Sequence, residues 1–200
     1  MGDPGREPLP PAPTPAGGSE PEPANAGAAP FQSLAPERPR LLERALRRQP
    51  AANAFVELNN LFASARDLRE IDEGDVERIG RSYGLDVRGT FGARCQQLYR
   101  DYLLWCLTDR RLSAEELATL AHLATLLRLD AGTTAGIHRS VTRSVYLRTV
   151  EEVLADGDVS AAEREFLARL GQHLDIPEGG AENMLEVRRR QIERRNPHRR

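Results

Sequence analysis

Between about residues 39 and 195, apolar side chains recur at three- and four-residue spacing. No stretch alternates with period two, and no Asn-Gly or Asp-Gly sits between β-branched runs. This periodicity predicts helices at about 39–49, 53–66, 73–84, 90–108, 113–128, 133–155, 160–174 and 178–194. Leu117, Leu120, Leu123 and Leu127 make one apolar face; Phe166, Leu167, Leu170 and Leu174 make another. The helix at 90–108 carries Leu98, Tyr102, Leu103, Trp105 and Cys106, and reads as central. The expected fold class is therefore all-α, a bundle of about seven to eight helices.

The pattern also repeats. Shifting residues 98–137 by 47 places Tyr99 on Tyr146, Asp109 on Asp156, Ser113 on Ser160 and Glu116 on Glu163. Leu120, Leu123 and Leu127 fall on Leu167, Leu170 and Leu174, without a gap. A weaker copy precedes them at an offset of 44, with Leu68, Asp72, Val76, Ile79, Leu85 and Asp86 falling on Leu112, Glu116, Leu120, Leu123, Leu129 and Asp130. Each unit reads as a long helix, a turn and a shorter helix. One such unit cannot bury its apolar face alone, so the bundle is expected to stack tandem helix-turn-helix repeats of about 45 residues.

The turn "ADGDVSAAEREF" at 155–166 allows two chemistries. A helical-hand calcium loop needs oxygen ligands at positions 1, 3 and 5, Gly at 6 and a bidentate Glu at 12. Counted from Asp156, Asp158 and Ser160 fit, but position 6 is Ala161 and position 12 is Leu167. Helix punctuation fits better: Ser160 as N-cap and Glu163 three residues on form a capping box. Gly157 can take the left-handed turn that ends the preceding helix. The earlier copy keeps Ser113 and Glu116 but has Arg110 and Arg111 in place of Gly157 and Asp158. The alternative is a weak divalent-metal site in the later copy alone, built from Asp156, Asp158 and Glu163. No other cofactor is expected.

Composition narrows the setting. Residues 1–30 hold nine of the 14 prolines and almost no large apolar side chains. Such a segment cannot bury enough surface to offset the entropy of ordering it. The expected organisation is a disordered tail at 1–35, a helical domain at 36–190 and a basic tail at 191–200. The N-terminus lacks the apolar core of a secretory signal, and no run of about 18 apolar residues predicts a membrane span. All 28 basic residues are Arg, the usual mark of a GC-rich, bacterial genome. Cys95 and Cys106, 11 residues apart on one predicted helix, would sit roughly 16 Å apart, beyond disulfide reach. They read as reduced core thiols, which points to the cytoplasm.

The stretch "LADGDVSAAEREFLARLGQHLDIP" resembles the TerB-like (tellurite-resistance B) signature: Ala-Asp-Gly at a helix end, an apolar residue, Ser-x-x-Glu, Leu-x-x-Leu and Leu-x-Ile. The earlier copy, with "IHRSVTRSVY" after it, also resembles the helical repeats of the large inner-envelope scaffold of the chloroplast import translocon. Together the resemblance covers about residues 55–190. It implies an all-helical cytoplasmic bundle without established catalysis, associated with tellurite and other stress responses. Acidic positions suspected of metal or partner contact in that family match here only at Asp156, Asp158 and Glu163.

The remaining chemistry is sparse. His122, His138, His173 and His198 show no zinc-ligand spacing, and no phosphate-cradling glycine loop is present. Residues 187–200 carry seven Arg against one Glu. Arg188, Arg189, Arg190, Arg194, Arg195, Arg199 and Arg200 could meet an anionic partner or nucleic acid; the plainer account is a solvated helix end. The expectation is a non-enzymatic protein-interaction domain. A metal-binding stress-response protein is one alternative, and association with nucleic acid through the Arg tail is another.

Overall fold

A computed structural model describes residues 30–39, 49–155, 159–177 and 179–195. The predicted helix at 39–49 falls almost wholly outside these. The described residues form eight α-helices and no strand: α1 Ala52–Ser64, α2 Glu73–Tyr83, α3 Val87–Thr90, α4 Gly92–Cys106, α5 Ala114–Leu126, α6 Ala131–Val153, α7 Ala161–His173 and α8 Gly180–Arg195. None is long and apolar enough to cross a membrane.

The stretch predicted as one helix from 90 is broken near its start. Asp86 caps a short α3 by accepting from the Arg88 N–H. Phe91, between α3 and α4, turns its ring towards Phe55 at 5.8 Å. At the other end α4 passes into a 3-10 turn, Leu107–Asp109, closed by Arg110 in the left-handed region at φ 65°. Arg110 therefore takes the conformation that glycine favours, and its guanidinium pairs with Glu152 on α6 at 2.7 Å.

Two helices occupy the middle. α4 packs on α3, α5 and α6, and α6 packs on α4, α7 and α8; α1 covers α2, which also meets α5. Their shared core is aliphatic with a few aromatics: Leu58, Phe62, Leu103, Leu120, Leu123, Leu126 and Tyr146 are essentially inaccessible. Cys95 and Cys106 are buried and unbridged, with burial pushing their thiols up to about 11 and about 12.

Two predicted core positions lie outside. Leu117 is 47% exposed and Phe166 is 38% exposed. Helical geometry explains both. The buried stripe of α5 is Thr119, Leu120, Leu123, Leu126 and Leu127; at about 100° per residue, Leu117 lies about 120° from its centre. Phe166 is about 75° from the centre of the stripe formed by Leu167, Leu170 and Leu174.

Three helices end alike. Gly84, Arg128 and Asp175 are left-handed at φ 65°, 50° and 52°. In each case the next N–H closes back on the helix: Leu85 to the Gly80 carbonyl, Leu129 to Ala124 and Ile176 to Gly171, at 3.0, 2.9 and 2.9 Å. These contacts satisfy carbonyls that a helix C-terminus otherwise leaves open. The helix starts do not keep the same spacing. Ser113 and Ser160 stand 47 residues apart, but Asp72, which the 44-residue offset sets on Glu116, is itself the N-cap of α2, boxed with Asp75, and so occupies the place of Ser113.

The tail boundary also moves. Residues 31–35, expected to be disordered, are placed against the bundle. The Phe31 ring is buried beside Phe62 at 5.7 Å and Tyr102 at 6.1 Å. Burying a phenylalanine side chain contributes about 2 kcal/mol, which offsets only part of the entropy of ordering the segment.

Candidate functional site

The residues singled out in the two turns form caps. Ser113 Oγ accepts from the Glu116 N–H at 3.2 Å, while the Ser113 N–H donates to Glu116 Oε2 at 2.8 Å. Ser160 and Glu163 repeat this at 3.3 and 2.8 Å. Hydrogen bonds from the Ser160 side chain, then from its backbone, hold the Glu163 carboxyl below its ordinary range. Oε2 of Glu163 accepts from both the Ser160 N–H and the Ser160 hydroxyl, at 2.8 and 2.7 Å. Asp156 and Asp158 lie outside the described residues. Among the described residues no three His, Cys, Asp or Glu side chains gather around a common point.

The arginines of the last helix are partly engaged. Arg188 pairs with Glu151 on α6 and donates to Gln191 at 2.9 Å; its Nε is buried without a hydrogen-bond partner. Arg190 pairs with Glu186 one turn back at 2.6 Å, and Arg189 is likewise engaged. Arg194 is exposed. Arg195 is the last residue of α8, and Arg199 and Arg200 lie outside the described residues. Arg188 thus belongs to the α6–α8 contact rather than to a free basic tail.

Two histidines are used in packing. His138 Nε2 lies 2.8 Å from the Tyr99 hydroxyl, and burial lowers its pKa below 6.5. His122 Nε2 lies 2.9 Å from the Ile71 carbonyl. His173 closes α7 in an exposed position, and His198 lies outside the described residues.

The most organised polar arrangement lies elsewhere, on α1. The chain from Phe31 to Pro39 runs along this helix without secondary structure of its own. Asn60 accepts from the Leu34 N–H at 2.7 Å and donates to the Leu34 carbonyl at 2.9 Å. Asn53 does the same to Glu37, at 2.7 and 3.0 Å. Asn59 donates to the Gln32 carbonyl at 2.7 Å and to Asn60 Oδ1 at 3.3 Å. Asn53 and Asn59 are buried, where an unpaired amide would be costly, so the segment satisfies them. Apart from Phe31, its residues from Gln32 to Arg38 are exposed. Two primary amides thus each read both backbone groups of one residue, and one aromatic ring supplies the apolar contact.

Sequence periodicity missed this arrangement, because asparagines on a helix are silent in a hydrophobic pattern. The available signal was three Asn within eight residues, "NAFVELNN" at 53–60, in a helix otherwise rich in apolar side chains. Asparagine competes with helical backbone bonding and favours caps and turns, so buried asparagines such as Asn53 in the first turn and Asn59 further along need partners from outside the helix.

No family model, no curated protein and no solved structure matches the chain.

Proposed function

We propose that the chain is a non-enzymatic, cytoplasmic interaction domain of TerB-like type that acts by holding another polypeptide. The observation that supports this reading best is the α1 surface, where Asn53 and Asn60 each grip the N–H and C=O of a single residue. A helix face that binds a chain through its backbone is equipment for holding polypeptide. The TerB-like assignment rests on the Ser-x-x-Glu turn and the Leu-x-x-Leu run that follows it. The cytoplasmic setting rests on two unbridged cysteines.

We further propose that the bundle is a tandem helix-turn-helix array. Its support is that Arg128 and Asp175, 47 residues apart, are both left-handed, and that Ser113 and Ser160, at the same offset, both carry capping boxes.

The test is photo-crosslinking in the source cell. Crosslinkable residues are placed one at a time at Leu34, Leu117 and Phe166, all exposed. A defined protein adduct at one position, absent at the other two, is expected. No adduct at any of the three would remove the adaptor reading.

A further inference from the structure

The two clamps on α1 share a spacing that fits extended chain in general. Asn53 and Asn60 are seven residues apart, so they stand on one face, about 10.5 Å apart along the helix. The residues they grip, Glu37 and Leu34, are three apart, which spans about 10 Å in extended conformation. The segment therefore runs antiparallel to α1, and each clamp meets every third residue. Only backbone atoms are read at both clamps. The side chains of Leu34 and Glu37 are left to solvent. Selectivity comes from one place: Phe31, three residues before the first clamped residue, enters the pocket beside Phe62 and Tyr102.

Resting on the adaptor reading and naming its site, we infer that α1 is a recognition groove for extended peptides. Residues 31–37 are its resident intramolecular ligand. The partner it fits is an extended segment of another protein with an aromatic residue three positions before one clamped backbone unit, and a second clamped unit three positions after it. The resident is held by one buried ring and by hydrogen bonds from Asn53, Asn59 and Asn60 to its backbone, all of which an incoming extended chain can supply in its place. The groove's amides are paired in both states, by the resident or by the incoming chain, so exchange leaves no buried amide without a partner.

The probe is a fluorescent peptide with the sequence of residues 30–38, PFQSLAPER, added to the full-length chain. The double variant Leu34→Pro, Glu37→Pro removes the two N–H donors of the resident segment while leaving α1 intact. With helicity retained, this variant should bind the probe at least tenfold more tightly than the wild-type chain. Adding Asn60→Leu, or replacing Phe by Ala in the probe, should each reduce binding at least tenfold. A folded double variant without saturable binding, or binding indifferent to both changes, would overturn the inference.

If the double variant does not fold, a full-length chain with a protease site inserted between Ala45 and Leu46 decides. After cleavage, the N-terminal fragment should exchange with excess labelled probe while the helical signal persists. A fragment that stays bound without exchange, or a cut chain that unfolds, makes the segment a structural part and overturns the inference. Wild-type dimers joined by exchange of this segment would assign the groove to a second copy and overturn the partner. None of these measurements needs the cellular partner. Their failure would still leave Leu117 and Phe166 as adaptor surfaces, and a failed cellular crosslink would leave peptide binding in vitro intact.

Discussion

Arg128 and Asp175 stand 47 residues apart and close α5 and α7 in the same way, left-handed at φ 50° and 52°. Each is followed by an aliphatic residue whose N–H reaches back five residues, Leu129 to Ala124 and Ile176 to Gly171. Side chains other than glycine carry a steric penalty of about 1 kcal/mol in this region. Asp175→Gly should therefore raise the stability of the chain by up to about 1 kcal/mol, less the entropy that glycine adds to the unfolded state. Arg128→Gly should gain less, because Arg128 also pairs with Glu77 at 3.2 Å. Urea midpoints for the two variants test the order; a loss of stability in Asp175→Gly would contradict it.

The Ser-x-x-Glu turns yield a second comparison. Ser160→Ala and Ser113→Ala should each destabilise by about 1 kcal/mol, the usual value of a serine N-cap. Calcium or a chelator should leave the thermal midpoint of the wild-type chain unchanged. A midpoint that follows calcium, together with an indifferent Ser160→Ala, would favour the metal reading of Asp156, Asp158 and Glu163.

Among the described residues, Phe31 is the most N-terminal one buried in the core. Removing residues 1–29 should leave the thermal midpoint nearly unchanged. Phe31→Ala should cost about 3 kcal/mol, since a nearly buried ring is lost from between Phe62 and Tyr102. Equal midpoints for Phe31→Ala and wild type would place the ring outside the core.

His138 sets a pH dependence. Burial lowers its folded pKa below the ordinary 6.5, so between those two values the unfolded chain binds more protons than the folded one. Stability contributed by this histidine is complete above about pH 6.5 and is lost as pH falls towards the folded value. Urea unfolding between pH 5 and 7.5 should show this slope in the wild-type chain, and His138→Gln should flatten it. Stability that instead rises on acidification through this window would reverse the assignment.

Much of the fold was legible because helices announce themselves through periodicity and their ends through local chemistry. Ser113 and Ser160 cap helices at their side chains, and each is visible in sequence as a Ser-x-x-Glu ahead of an apolar-periodic run; Asp130 caps α6 as well, but no such run follows it. Leu117 and Phe166 were misplaced because the width of a buried stripe depends on how neighbouring helices lie across it, which spacing alone does not encode. The break at Phe91 was hidden for a similar reason: an aromatic there suits a continuous helix equally well until Phe55 draws it aside. The α1 clamps were least legible. Their partners lie 16 to 27 residues away in sequence, and the interaction is with backbone, which every sequence shares.

Arg88 gives the composition a different meaning at one position. Its side chain is 5% exposed and reaches two neighbouring helices at once: Glu73 and Glu77 on α2, both at 3.5 Å, and the Leu126 carbonyl at the end of α5 at 3.4 Å. Only a planar fork with several N–H groups can serve such divergent acceptors; an ammonium is a single point. The chain has no lysine, and at most exposed positions arginine and lysine could trade places at little cost. At residue 88 the exchange would take from the Leu126 carbonyl its guanidinium donor while Glu73 and Glu77 keep solvent, so arginine at this position is required by the packing rather than by composition.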